Sequence, residues 1–300
     1  MGSDSKIEWT DATFNPWIGC TRVSAGCEHC YAEQMMDARY GRVKWGPKGE
    51  RSVTSDAYWR QPLTWNRKAA AEGRRLRVFC ASLSDVFDDH PSISKEWRSG
   101  LWNLIADTQN LDWLLLTKRP QNWPKFMPIG ARQYPFENIR LGITIEDQAT
   151  ADKRFPLMQV ARLGGWPTFV SYEPALGAID WQNMLTTGTV DWLIAGGESG
   201  KEARPSHPQW FRDARDACAR HGVAYLFKQF GEWFGPISAV PGGDMGGDMR
   251  RDQVRIVKPA GDNDGHFRRG DVLMRRVGKK AAGRLLDGVE HNGFPTEQRR

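Results

Sequence analysis

Cys20, Cys27 and Cys30 form a C-x6-C-x2-C run early in a chain of 300 residues, and Tyr31 opens a stretch of helical character directly behind it. Three thiolates so close together hold a metal, and their number matters as much as their spacing. A structural zinc site takes four protein ligands, commonly two Cys-x2-Cys pairs or their histidine variants. Only one such pair is present, His29 lies awkwardly inside it, and His207 and His221 would have to arrive by folding. A [4Fe-4S] cube held by three cysteines keeps one iron without a protein ligand, free to bind a substrate or cofactor. Zinc is the plain alternative; the count of three favours iron–sulfur.

A second set of chemistry-bearing residues follows a series of short apolar runs. Ser82, Ser84 and Asp85 come after Arg77-Val-Phe-Cys-Ala81, and Thr117, Lys118 and Arg119 end Asp112-Trp-Leu-Leu-Leu-Thr117. Thr144, Glu146 and Asp147 follow Asn138-Ile-Arg-Leu-Gly-Ile-Thr144, and Ser171, Tyr172 and Glu173 follow Pro167-Thr-Phe-Val-Ser171. Gly196, Gly197, Glu198 and Ser199 follow Val190-Asp-Trp-Leu-Ile-Ala195, and Lys228 and Gln229 end Val223-Ala-Tyr-Leu-Phe-Lys228. Each junction alone reads equally well as a helix cap. Glu146, Glu173, Glu198, Lys118 and Lys228 are poor core residues, so repetition at six junctions favours convergence on a polar pocket. Gly196 and Gly197 allow backbone amides to approach a phosphate or carboxylate, or they simply make a tight turn; no Gly-Lys-Ser/Thr follows, so this is not a P-loop.

The runs that carry these residues read as buried parallel strands, and segments of helical character lie between them at 91–107, 147–163 and 207–221. With a first strand near 15–19, this predicts six or seven βα units: an α/β chain built as a partial or complete (β/α) barrel, with a doubly wound sheet as the alternative. In a barrel the chemistry sits at the carboxyl ends of the strands, where the polar residues fall. The expected barrel covers 1–234. Residues 235–300 form a small basic appendage, with a glycine-rich loop at 241–249 and basic residues including Arg250, Arg251, Arg255, Lys258, Arg268, Arg269, Arg275 and Arg276. That surface is either solvated or a contact for phosphates.

A hydrophobic content of 40% supports a real core, and the formal charge of +6 leans towards a polyanionic partner. No run of about 18 apolar residues appears, and the first residues lack a basic-then-apolar signal, so a cytoplasmic protein without a membrane span is expected. Only Cys80 and Cys218 lie outside the cluster, which argues against a disulfide framework. The 14 tryptophans are dispersed and read mainly as packing, although Trp17, Trp45 and Trp233 could stack on a base near a barrel mouth.

The chain resembles the radical S-adenosylmethionine (radical SAM) superfamily and, within it, the phage-associated three-Cys-motif family. The resemblance runs through Ile7-Glu-Trp-Thr-Asp-Ala-Thr-Phe-Asn-Pro-Trp-Ile-Gly-Cys20, Cys27-Glu-His-Cys30-Tyr31-Ala32, Ser171-Tyr-Glu-Pro174, Ala195-Gly-Gly-Glu-Ser-Gly200, Lys228-Gln-Phe-Gly-Glu-Trp233 and Gly278-Lys-Lys-Ala-Ala-Gly-Arg-Leu-Leu286. One departure is the six residues between the first two cysteines, where most members of the superfamily have three. The resemblance implies that Cys20, Cys27 and Cys30 bind three irons of a [4Fe-4S] cluster and that S-adenosylmethionine (SAM) chelates the fourth. Reductive cleavage of SAM, with an electron from a donor such as flavodoxin or ferredoxin, would give a 5′-deoxyadenosyl radical that abstracts a substrate hydrogen. By position, Ser82 and Asp85 are then expected at the SAM amino group, and Thr144 and Glu146 at its ribose or carboxylate. Gly196 and Gly197 are further candidates for cofactor binding. Lys118, Glu173, Glu198, Lys228 and Gln229 are expected to grip substrate or move protons. The implied substrate is a DNA base, a modified thymidine in phage DNA, in the cytoplasm of an infected or prophage-bearing bacterium. The alternatives are a peptide, a free nucleotide or a small metabolite, or a non-catalytic iron–sulfur protein that binds nucleic acid.

Overall fold

The structure is a computed structural model that describes residues 5, 7–128, 136–235, 254–260 and 269–295. The first strands are β1 (Ala12–Thr13), β2 (Trp17–Ile18), β3 (Ser52–Val53) and β4 (Leu76–Cys80). Then come β5 (Leu111–Thr117), β6 (Ile139–Thr144), β7 (Thr168–Tyr172), β8 (Trp192–Gly196) and β9 (Ala224–Gln229). The chain ends with β10 (Trp233–Phe234), β11 (Val254–Val257) and β12 (Val272–Arg276). Between the strands lie α1 (Tyr31–Glu33), α2 (Asp56–Trp59), α3 (Gln61–Ala71), α4 (Lys95–Ala106) and α5 (Trp123–Phe126). They are followed by α6 (Gln148–Leu163), α7 (Trp181–Thr186), α8 (Pro208–His221) and α9 (Lys279–Ala282).

Seven strands form one sheet in the order β1-β4-β5-β6-β7-β8-β9. Its pairs β1·β4, β4·β5, β5·β6 and β8·β9 are parallel. This is the expected partial (β/α) barrel. The near-continuous burial of β4 to β9 explains why their sequences read as apolar runs rather than alternating ones. The first strand lies earlier than its expected position at 15–19. Ala12 and Thr13 pair with β4, and Pro16, which has no N–H for a ladder, ends that pairing. Trp17 and Ile18 pair instead with Ser52 and Val53 in an antiparallel ribbon.

By contact density the chain divides into two compact units, 1–144 with 154–169 and 145–153 with 170–300. In the first, Phe14 stacks on Tyr58 and meets Trp59 and Trp113 edge-on. In the second, Phe211 packs on Tyr172, Phe227 and Phe230. The described residues past 234 belong to this second unit. There β10, β12 and β11 form an antiparallel sheet, and residues 291–293 line the edge of β9 through Phe227 N–H to His291 O at 2.9 Å and Gly293 N–H to Tyr225 O at 2.8 Å. That covers an edge strand which would otherwise expose a free ladder. Among the appendage cations, Lys258 is buried and Arg276 donates to Gly200 O at 2.8 Å. The expected loop at 241–249 and Arg250, Arg251 and Arg268 lie outside the described residues. No helix among the described residues is long and apolar enough to cross a membrane.

Helix α8 buries Trp210, Phe211, Ala214, Ala217 and Cys218, as its spacing predicts, and closes on Gly222 at φ +67°. Its cap is His207, whose Nδ1 accepts from Gln209 N–H at 3.0 Å while Nε2 lies 3.1 Å from Gly270 O. Both contacts suit a neutral ring, and burial depresses its pKa below the ordinary histidine value. The folded state therefore binds fewer protons than the unfolded chain. Stability is full above about pH 6.5 and is lost as pH falls through the depressed folded value. Thermal melts between neutral pH and pH 5 should show an acid-side loss that is reduced in His207→Gln; an identical pH profile in that variant would show that the cap does not carry it.

Candidate functional site

Cys20 follows Gly19, whose φ of +111° suits glycine and whose N–H donates to Leu83 O at 3.1 Å, tying the loop to the segment after β4. Cys27 ends a single tight turn over Ala25–Cys27, with Ser24 Oγ 3.9 Å from its Sγ. Cys30 is the N-cap of α1, and its side chain makes no capping hydrogen bond there. Arg22 pairs with Glu33 through Nε and Nη2, each at 2.9 Å, and so closes the loop around Cys27. The segment is seated on a small apolar cluster of Ile18, Ala32, Met36, Val43 and Leu83, against which Cys30 packs.

Beneath Cys20 lies a buried ionic lattice. Arg119 Nη1 is 3.0 Å from Asp85 Oδ2 and 3.5 Å from Cys20 Sγ, and its Nη2 donates to Thr21 O at 2.5 Å. Asp85 also accepts from Thr117 Oγ1 at 2.8 Å, Phe87 N–H at 2.9 Å and Lys118 N–H at 3.2 Å. Asp88 lies 3.5 Å from Arg119 Nε and accepts from Arg51 Nη2 at 2.6 Å. Arg51, whose side chain is fully buried, donates onward to Thr21 Oγ1 at 2.7 Å and Gly46 O at 2.9 Å. Burial pushes the Cys20 thiol up to about 12, and Arg119 opposes that rise. Burial also raises the Cys30 thiol, against the pull of the nearby Glu33 and Ala32 amides and of Lys118.

The other candidates of this unit fall around the lattice. Ser82, half-buried, exchanges hydrogen bonds with Asn15, and its carbonyl accepts from Tyr31 Oη at 2.7 Å. Asp85 is fully engaged with protein donors. Thr144 is buried at the end of β6, and its carbonyl accepts from Arg154 Nη1 at 2.7 Å. Arg119 and Arg51 are the contributors that sequence reasoning passed over. Arg119 stood beside Lys118 at a strand end, whereas Arg51 lies in a loop with no motif to mark it.

In the second unit, Lys228 Nζ donates to Glu173 Oε1 at 2.7 Å, with both side chains partly exposed. β8 lies between the strands that carry them, and the pair passes over Gly196, where an added Cβ would sit 3.3 Å from Glu173 Cδ. The glycine thus makes room for a protein carboxylate. Gly197 N–H donates to Gln229 O at 2.9 Å, and an added Cβ there would collide with the Phe230 carbonyl. Glu198 is gripped by Arg204 through Nε at 2.8 Å and Nη2 at 2.6 Å, and by the Arg204 N–H. Gln229 bonds Ser199 Oγ at 2.9 Å and Gly231 N–H at 3.0 Å. Glu146 is fully buried, and its carbonyl accepts from Leu176 N–H at 2.8 Å.

Among the described residues no three His, Cys, Asp or Glu side chains converge as the ligands of one ion. A cube makes a different demand, since each thiolate binds its own iron and the sulfurs stand apart. Three free thiols on one loop match that donor set in number and kind. Cys80 and Cys218, both buried in apolar packing, do not.

The profile of the family described as "Protein of unknown function (DUF5131)" matches residues 4–295. The chain belongs to this family. No curated protein matches it. Among solved structures it is similar to a double mutant of spore photoproduct lyase with bound AdoMet and dinucleoside spore photoproduct, at 11% identity and TM-score 0.48, covering 93% of this chain and 72% of the other. Two single mutants of the same lyase match at 13% and 11% identity, both with TM-score 0.49. They cover 96% and 92% of this chain and 74% and 71% of theirs.

The two glycines make separable demands. Gly197→Ala should cost about 3 kcal/mol or more, because backbone must move. Gly196→Ala, which meets only a side-chain carboxylate, should cost clearly less. Denaturant melts of the two variants test this, and equal losses would contradict the packing account.

Proposed function

We propose that this chain is a radical SAM enzyme in which Cys20, Cys27 and Cys30 hold a [4Fe-4S] cluster and which acts on a base in DNA, a modified thymidine of phage type. The observation that carries the reading is the cysteine loop itself, with three thiols, a hydroxyl near one of them and a buried guanidinium behind another. When bound and reduced, the cluster supplies the electron that cleaves SAM, and the cleaved cofactor supplies a radical able to abstract hydrogen. The chain's own residues bind, orient and move protons. Ser82 offers its hydroxyl at the end of β4 to the SAM amino group. Asp85, with its oxygens already occupied, serves by holding Arg119 and the Lys118 backbone. Thr144 and Glu146 are assigned to the SAM ribose or carboxylate. Lys228 holds a proton on Nζ against Glu173, so the pair can donate to a substrate heteroatom or accept from it. Glu198, paired to Arg204, orders the loop that follows β8.

A DNA substrate is supported by the net charge of +6 and by exposed Arg255, Arg269, Arg275, Lys279 and Lys280 in the C-terminal segment. A base would have to leave the stack to be reached, at a cost of a few kcal/mol. Phosphate contacts from the exposed cations would offset it.

Anaerobic reconstitution with iron and sulfide, followed by dithionite and SAM, should yield 5′-deoxyadenosine. Cys20→Ala, Cys27→Ala and Cys30→Ala should each lose the iron–sulfur absorbance and that product, while Cys80→Ala and Cys218→Ala keep both. A loaded cluster that never cleaves SAM would leave a non-catalytic nucleic-acid-binding protein as the better account. Replacing Arg269 and Arg275 by Gln should reduce the slope of log affinity against log salt for DNA by about 2. An unchanged slope would take DNA away from this segment.

A further inference from the structure

We infer that Arg119 is a positioning residue that raises the reduction potential of the cluster through Cys20, an inference that rests on the cluster reading above. Two observations carry it. The Arg119 guanidinium is buried and places Nη1 3.5 Å from Cys20 Sγ. Its orientation is held independently of any cluster, by Asp85 at 3.0 Å, Asp88 at 3.5 Å and Thr21 O at 2.5 Å. Cys27 has a hydroxyl neighbour at 3.9 Å and Cys30 makes no capping hydrogen bond, so the three corners are electrostatically unequal.

Cluster potentials follow net charge, hydrogen bonds to sulfur and solvent exposure. Reduction adds one electron from a low-potential one-electron donor and moves no atom, so the reduced form carries one more negative charge. A buried N–H donor and positive charge beside a thiolate favour that form. Arg51 supplies the control. It shares Asp88 and Thr21 with Arg119 and is equally buried, but its guanidinium hydrogen-bonds only oxygen atoms, of Asp88, Thr21, Gly46 and Gly49. A purely structural lattice would respond alike to loss of either arginine, whereas tuning singles out Arg119.

The test is an EPR-monitored redox titration of the reconstituted full-length chain, with iron counted per chain, for the wild type, Arg119→Lys, Arg119→Gln and Arg51→Lys. Arg119→Lys should retain iron and show about a tenfold lower ratio of reduced to oxidised cluster at fixed potential, about 59 mV for a one-electron couple. Arg119→Gln should shift further in the same direction, and Arg51→Lys should keep the wild-type midpoint. If Arg119→Gln fails to fold, Arg119→Lys against Arg51→Lys still decides. Wild-type midpoints in loaded Arg119 variants, equal shifts in Arg51→Lys, or loss of iron from Arg119→Lys would each overturn the tuning role. Absence of any cluster in the wild type would instead overturn the functional reading beneath it.

Discussion

The site depends on one buried electrostatic arrangement, the lattice of Arg51, Asp88, Arg119 and Asp85. Two cations and two anions taken out of water together carry a heavy desolvation penalty, and only dense mutual hydrogen bonding offsets it. Here the remaining donors are aimed at the cysteine loop and its neighbour: Arg119 bonds the Thr21 carbonyl, Arg51 the Thr21 hydroxyl, and Arg51 also holds the Gly46 carbonyl. Gly46 N–H in turn donates to Cys20 O at 2.9 Å. The cysteine loop, short of regular structure, is thus held by ions rather than by a helix or ladder. Deleting one partner of such a pair costs about 3–5 kcal/mol, since it leaves an uncompensated buried charge. A lattice that intolerant of change is poor at adding stability and good at fixing one geometry, which is what the ligand loop proposed above would require.

Much of this was legible in the sequence, for identifiable reasons. Parallel strands covered on both faces become apolar runs with polar residues at their ends, so β4 to β9 and their junctions could be read directly. Cysteine spacing is local, so the triad needed no folding to be seen. Three things were not legible. Pro16 displaced the first strand, because one missing N–H outweighed an apolar stretch. Arg119 could not be told from Lys118 as the inward-facing residue, since that choice depends on Asp85, 34 residues away. Arg51 had no local signal, because its role comes only from partners that folding brings together.

The second unit teaches the opposite lesson about glycine and glutamate. Read as a pattern, Gly196, Gly197 and Glu198 are as suggestive as the cysteines, with room for an anion and a carboxylate beside it. In the fold, Gly197 makes room for a carbonyl and Gly196 for Glu173, while Glu198 is committed to Arg204. A short motif states that something must come close, not whether it is a ligand or the protein itself.

That distinction orders the candidates chemically. A carboxylate with a bidentate arginine has few lone pairs left for substrate. Lys228 and Glu173 are joined by a single hydrogen bond, and both are partly exposed. Nζ retains two further N–H donors, and Glu173 keeps an oxygen outside that bond. A group that moves a proton must be able to exchange partners, and by that criterion this pair is better suited to chemistry than Glu198. The same criterion separates the roles of Asp85 and Ser82. Asp85 has spent its oxygens on Thr117, Phe87, Lys118 and Arg119 and therefore acts on the loop, whereas the half-buried hydroxyl of Ser82 can turn from Asn15 to a ligand.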